Sequence, residues 1–314
     1  MMLRETDFLD LTAISAANLE NALAAVHGYL KFASILWIRA LGQPTLDGIM
    51  IRRWSRGTAG AVATFCSRYG FDELLLRIDK HLSRWSTRRG GYLISASDAE
   101  HVVRELSGED MIALMLEPAS PHRDLYCLAC VAIPEQNNLV IEVVGPGFDT
   151  SDLVRSDLLP HERFEVSVPL EQPHIALAAG ASPRRTYLVT QEDYRRTVED
   201  RLVKIGARLR NAAFPKEVLA KPAQLREDAC HFLRRRGETL LLHHLTEYSP
   251  IPQQYLQRFV AGVVRMLAGL DQRAVRLGAV TFSGTFMMSK RLVYWDFFPA
   301  DTSKGHLLYS AQRP

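Results

Sequence analysis

Four stretches of the 314-residue chain gather residue types that do chemistry. The first runs Leu75-Leu76-Arg77-Ile78-Asp79 and then Arg88-Arg89-Gly90-Gly91. Glycine lets backbone N–H groups approach a phosphate closely, and arginine offers planar paired donors to its oxygens. A solvated hairpin turned by Gly90-Gly91 is the plainer alternative. The second is Met115-Leu116-Glu117-Pro118, where backbone groups and Glu117 could border an adenine edge. A strand simply stopped by proline reads the same way. The third runs from Ile141-Glu142-Val143-Val144-Gly145-Pro146-Gly147 through Asp149, Asp152 and Arg155 to Pro160-His161-Glu162. Glycine-acid loops of this kind hold Mg²⁺ with phosphates or orient a substrate, and Asp149 and Ser151 are equally good helix caps. The fourth is Leu292-Val293-Tyr294-Trp295-Asp296-Phe297-Phe298. An aspartate buried in so apolar a strand needs a partner, either a cation or hydrogen-bond donors. Strand alternation puts Asp296 on the face of Leu292, Tyr294 and Phe298, with Trp295 opposite.

Other combinations carry less. Cys127 and Cys130 form a C-x-x-C inside an apolar strand, where residues three apart diverge. No second half-site completes a tetrahedral metal centre. His243-His244 are adjacent and also diverge, and Arg234-Arg235-Arg236 reads as a solvated helix end near Gly237. There is no G-x-S-x-G, P-loop, H-E-x-x-H or helix-opening G-x-G-x-x-G.

The elements that must position these residues follow from periodicity. Residues 11–41 read as helical, with Leu19, Leu23, Val26, Leu30 and Ala33 at three- and four-residue spacing, ended by Gly42 and Pro44. Strands are expected at 49–54, 74–78, 92–94, 111–117, 125–133, 139–144 and 164–168. Helices are expected at 61–69, 97–106, across much of 191–236, and at 255–270. Residues 278–288 and 292–298, joined by Ser289-Lys290, read as a hairpin. Helices mixed with mostly antiparallel strands make the expected fold α+β.

Composition bounds the rest. The chain is 47% hydrophobic and 23% charged, ordinary for a globular protein of about two domains. With 38 basic against 35 acidic residues the net charge is +3, too balanced to argue for nucleic acid or an anionic membrane. No apolar run approaches the roughly 20 residues of a membrane span. The charged start, residues 1–10, lacks a signal-peptide core, so the expected location is cytoplasmic.

Taken in order, these pieces resemble the ATP-grasp superfamily, and within it the nucleotide-binding domain of phosphoenolpyruvate synthase-like proteins. The outline of Glu142, Gly145, Gly147 and the strand from Phe164 carries the second likeness. The resemblance covers residues 46–314 in scattered short motifs. It implies an N-terminal helical segment (1–45), a small lid subdomain (46–118) and a larger core subdomain (119–314). It further implies ATP and Mg²⁺ as cofactors, with Arg77, Arg88, Arg89, Gly90 and Gly91 on phosphates and Glu117 beside adenine. Glu142 and Asp296 would hold the metal, and Asp149, Asp152, Arg155 and His161 would face the acceptor, with Arg155 and His161 in catalytic roles. The implied reaction is phosphorylation of a carboxylate and transfer of the acyl group to a small-molecule or peptide acceptor. Two departures are plain: Arg77 stands where many members have lysine, and Trp295-Asp296-Phe297-Phe298 replaces the usual acid-x-asparagine pair. The chain has no room for the phosphohistidine and phosphoenolpyruvate domains of a complete phosphoenolpyruvate synthase. The competing expectations are a degenerate ATP-grasp-like module that binds a nucleotide or a protein partner without turnover, and an α+β interaction module without nucleotide.

Overall fold

The computed structural model describes residues 7–15, 17–26, 29–70, 72–79, 91–106, 111–115, 124–149, 153, 159–170, 182–211, 223–244, 246–271, 279–287 and 289–299. Arg88, Arg89, Gly90, Glu117, Asp152 and Arg155 lie outside them. The chain divides into two compact units. One comprises residues 1–40, 45–120 and 204–235, the other 41–44, 121–203 and 236–314.

In the first unit, strands Phe8–Asp10 (β1), Gly48–Ile51 (β2), Glu73–Asp79 (β3), Gly91–Ser95 (β4) and Met111–Met115 (β5) form one antiparallel sheet, in the order β1-β2-β5-β3-β4. Helices Leu19–Ala25 (α1), Leu30–Ala40 (α2), Arg56–Tyr69 (α3) and Ala99–Leu106 (α4) accompany it. Alternation sends Leu74, Leu76 and Ile78 into a core with Ile49, Ile51 and Ile94, closed by Val62 and Phe65 of α3 and Val102 and Val103 of α4. Each fully buried side chain of this size contributes about 1.5–3 kcal/mol. Leu75 and Arg77 therefore point to the other face. Helix α3 starts where the Ser55 hydroxyl accepts the Thr58 N–H at 3.2 Å. It ends at Gly70, whose φ of +61° suits glycine and whose N–H reaches the Cys66 carbonyl.

In the second unit, Asp124–Ile133 (β6), Asn138–Val144 (β7), Glu162–Ser167 (β8), Arg184–Leu188 (β9), Val280–Met287 (β10) and Leu292–Pro299 (β11) form a six-stranded sheet. Its order is β11-β10-β6-β7-β8-β9, antiparallel throughout. Helices Gln191–Asn211 (α5) and Ala223–His244 (α6) give residues to both units. Helix Gln253–Asp271 (α7) buries Leu256, Phe259, Val260, Val263, Val264 and Leu267 at helical spacing. Phe259 of that stripe stacks on Tyr294 with ring centroids 5.4 Å apart, and its carbonyl accepts the Tyr294 hydroxyl at 2.8 Å.

The α+β class expected from the sequence is the class observed. The single helix expected over 11–41 is instead a 3₁₀ turn at Leu11–Ala13 followed by α1 and α2. Asn18 explains the break at its front. Its side chain accepts the Ser15 N–H at 2.8 Å and donates to the Ala13 carbonyl at 2.8 Å, holding a turn where a helix would run. Strands β1 and β9 were not expected. Helix α6 runs through Gly237 to His244, so Arg236 is buried in mid-helix rather than solvated at an end. No helix among the described residues is long and apolar enough to cross a membrane.

Candidate functional site

Register aligns one polar row across five strands of the second unit's sheet. Asp296 opposes Ser283, Ser283 opposes Ala129, Ala129 opposes Glu142, and Glu142 opposes Arg163. Directly opposed residues share a face. On β10 that face also carries Thr281 and Thr285, while Phe282, Gly284 and Phe286 point the other way. Glu142, Ser283 and Asp296 are buried at 3%, 0% and 9% exposure. Burial outweighs the pull of Arg163 and pushes the Glu142 carboxyl up to about 7.

A β-bulge sets the orientation of Asp296. Ser283 pairs with Asp296 and the next residue, Gly284, pairs with Tyr294, which leaves Trp295 unmatched. Asp296 therefore stands on the face opposite Tyr294, and strict alternation, which puts the two together, fails at this one residue. The Trp295 indole N–H donates to the Thr285 hydroxyl at 2.8 Å, on the same polar face. Gly284 permits the distortion. A Cβ there would meet the Phe259 ring at 2.9 Å and the Val293 carbonyl at 3.1 Å.

The two expected metal ligands are not brought together. Asp296 and Glu142 are separated by three interstrand steps, about 14 Å at the usual spacing. A single Mg²⁺ binds its oxygens at about 2.1 Å and cannot span them. Among the described residues no group of three His, Cys, Asp or Glu side chains could hold a metal. Cys127 and Cys130 lie on opposite faces of β6, in register with Thr285 and Phe282 respectively.

The loop after β7 is built by side chains from several elements. Arg236 of α6, 5% exposed, donates through Nε and one Nη to the Gly147 carbonyl at 3.3 Å and pairs with Asp149 at 2.9 Å. Gly147 has φ +81°, and a Cβ there would meet the Leu240 side chain at 2.7 Å. The Cys127 thiol donates to the Phe148 carbonyl at 3.4 Å. His161 accepts the Gly145 N–H on Nδ1 at 3.0 Å, which assigns its proton to Nε2. The ring is fully buried, edge-on to Phe148, Tyr194 and Tyr248 with centroids about 5 Å away. Burial lowers its pKa to about 3. The expected catalytic residue His161 is thus enclosed, its Nδ1 holding the Gly145 N–H and its Nε2 without a hydrogen-bond partner among the described residues.

The sequence reading missed a clip next to this loop. The Glu162 carboxylate accepts the Tyr248 hydroxyl at 2.9 Å and the Ile251 N–H at 2.6 Å, and pairs with Arg185 at 2.8 Å. Gln191 exchanges two hydrogen bonds with the Tyr248 backbone, and the Tyr126 hydroxyl donates to the Ser249 carbonyl. The hydrogen-bonded partners lie 57 to 123 residues apart and the Glu162–Arg185 pair 23, so no local pattern could have announced them.

In the first unit, Arg77 is 6% exposed on β3 and stands in register with Gly91 and Ala113. Elsewhere in that unit, Glu73 accepts from His231 at 2.7 Å and lies 3.6 Å from Arg235.

No family profile and no curated protein matches the chain. Solved structures do. The D-alanyl-alanine synthetase A of Vibrio cholerae is 10% identical with a TM-score of 0.36, the match covering 88% of this chain and 56% of that one. N5-carboxyaminoimidazole synthase from Aspergillus clavatus, solved with ADP and 5-aminoimidazole ribonucleotide, is 9% identical with a TM-score of 0.39, covering 93% and 52%. The chain thus spans about half the length of each. At scores this low the likeness carries no argument for fold or chemistry, and neither enzyme is a phosphoenolpyruvate synthase.

Proposed function

We propose that the protein is an ATP-dependent ligase or phosphotransferase of the ATP-grasp kind, which phosphorylates a carboxylate and passes the acyl group to an acceptor. The observation that carries this reading is the bulge at Trp295, which sets Asp296 against Ser283 on a polar sheet face. Mg²⁺ keeps several waters and binds through one or two carboxylates plus substrate phosphates. The donor set fits that habit: one carboxylate with hydroxyls beside it, and no all-protein cage. Asp296 would hold the ion, which when bound neutralises charge developing during phosphoryl transfer. Arg77, with Arg88, Arg89, Gly90 and Gly91, is proposed for phosphate contacts, Glu117 for adenine and Arg155 for the acceptor. Glu142, too far along the row to share that ion, is assigned to the acceptor with Arg163.

Calorimetric titration with a non-hydrolysable ATP analogue, with and without Mg²⁺, tests the reading. Saturable heat that requires Mg²⁺ and vanishes in Asp296→Ala is expected. No heat at millimolar analogue from folded protein would sink it. Binding without any turnover to ADP would favour the degenerate nucleotide-binding module, for which the single carboxylate of the β10–β11 hairpin speaks.

A further inference from the structure

Glu142 and Arg163 stand directly opposite each other on β7 and β8, on the polar face. Neither side chain makes a hydrogen bond or ion pair among the described residues, and the Arg163 Nε is enclosed without an acceptor. The sheet itself permits such pairs to close. One strand over, Glu165 and Arg184 hold the same opposed register and meet at 3.2 Å, although both are far more exposed. A buried carboxylate beside a guanidinium has more to gain from pairing than a surface one, because little water competes for either group. Their staying apart leaves the Arg163 Nε enclosed without an acceptor, a cost of about 1–3 kcal/mol unless a ligand supplies one, and leaves the Glu142 carboxylate beside it on the same face without a partner among the described residues.

We infer that Glu142 and Arg163 form a two-point subsite for a zwitterion, the carboxylate taking an ammonium group and the guanidinium a carboxylate, so that the ligand is an amino acid. The two side chains offer opposite charges from Cβ atoms about 5 Å apart. An amino acid places its two charged groups a few bonds apart and can meet both at once. Arginine presents a planar fork that matches a carboxylate in two parallel bonds. On the β8 side Arg163 and Glu165 are half-buried and Ser167 is exposed. As the identity of the acceptor, this inference rests on the ligase reading. As a binding site, it stands without nucleotide.

The test is saturation-transfer NMR of the full chain with each of the twenty L-amino acids and glycinamide at millimolar concentration, without nucleotide. At least one amino acid is expected to bind saturably and more tightly than glycinamide, which lacks the carboxylate. Glu142→Gln and Arg163→Met should each weaken that binding by about 10- to 100-fold. The glutamine is isosteric and Arg163 is only half-buried, so both variants are expected to fold. Absence of binding by every amino acid overturns the inference, and so does binding unchanged in either variant. Asp296→Ala separates the two readings: it should abolish the Mg²⁺-nucleotide heat and leave amino-acid binding intact. Amino-acid binding by a wild type that binds no nucleotide would defeat the ligase reading alone.

Discussion

Asp296 faces Ser283 across the β10–β11 hairpin, one step out of phase with Tyr294, because Trp295 has no partner on β10. Deleting Trp295 removes the bulge and leaves Asp296 directly after Tyr294, so plain alternation keeps it on the face of Ser283. The deletion should preserve Mg²⁺-dependent analogue binding on calorimetric titration, and its loss would show that the aspartate's pairing with Ser283 is not what the binding needs. Trp295→Phe, which removes the indole bond to Thr285, should cost about 1 kcal/mol. Urea unfolding checks it, and the midpoint should move at constant slope.

Glu142 predicts an alkaline loss of stability. Its folded carboxyl titrates at about 7 instead of 4.5, so between those values the native state holds a proton that the unfolded chain has released. Stability is therefore fully present below about pH 4.5 and declines as pH rises through 7. Glu142→Gln lacks this penalty. It should match the wild type near pH 4 and exceed it by on the order of 3 kcal/mol at pH 8. Equal stabilities at pH 8 would show that the carboxylate is not buried without compensation.

His161 predicts the opposite slope on the acid side. The unfolded imidazole gains a proton below 6.5, and the folded one only near 3. The stability present above 6.5 is then lost as pH falls, by about 2 kcal/mol at pH 5. Ring ¹⁵N spectra at pH 5 should show a neutral imidazole protonated on Nε2. An imidazolium signal at that pH would contradict the buried cage.

Arg236 predicts a tertiary coupling. Removing one partner of a buried ion pair leaves the other exposed to its desolvation penalty, about 3 kcal/mol or more when both are enclosed. Asp149 is 34% exposed, so Arg236→Met should cost less, about 2–3 kcal/mol, part of it from the Gly147 carbonyl. The double variant with Asp149→Asn should lose less than the sum of the two singles. Additive losses would mean the two side chains act independently.

The fold was legible where each residue step obeyed one period. The apolar runs Leu125–Ile133 and Leu139–Val144, joined by the polar Glu135-Gln136-Asn137-Asn138, gave the β6–β7 hairpin, and the stripe from Leu256 to Leu267 gave α7. It was illegible where surface or distortion erased the period. Strand β9 reads Arg-Arg-Thr-Tyr-Leu because it is mostly exposed at a sheet edge, so no apolar face marks it. The acids of the candidate site were picked out by residue type alone, Glu142 and Asp296 among them. Their common face was hidden by the bulge, and the signal for it lay on the other strand, where Gly284 interrupts a run of side chains that otherwise fill the sheet. The Glu162 clip had no signal, because it depends on contacts 86 to 89 residues away.

The order β11-β10-β6-β7-β8-β9 also fixes when the second sheet can be completed during synthesis. Strand β6 has one neighbour, β7, that follows within a few residues, and another, β10, that begins at Val280. At about 5–20 residues per second, the nascent chain waits roughly seven to thirty seconds for that second neighbour. Through that interval the apolar segment from Leu125 to Ile133 is a bare sheet edge in a growing polypeptide, the kind of edge that pairs with other chains. Its protection at the ribosome depends on a holding chaperone or on dilution, and codon changes that slow translation between residues 133 and 280 would lengthen the exposure and lower the soluble yield.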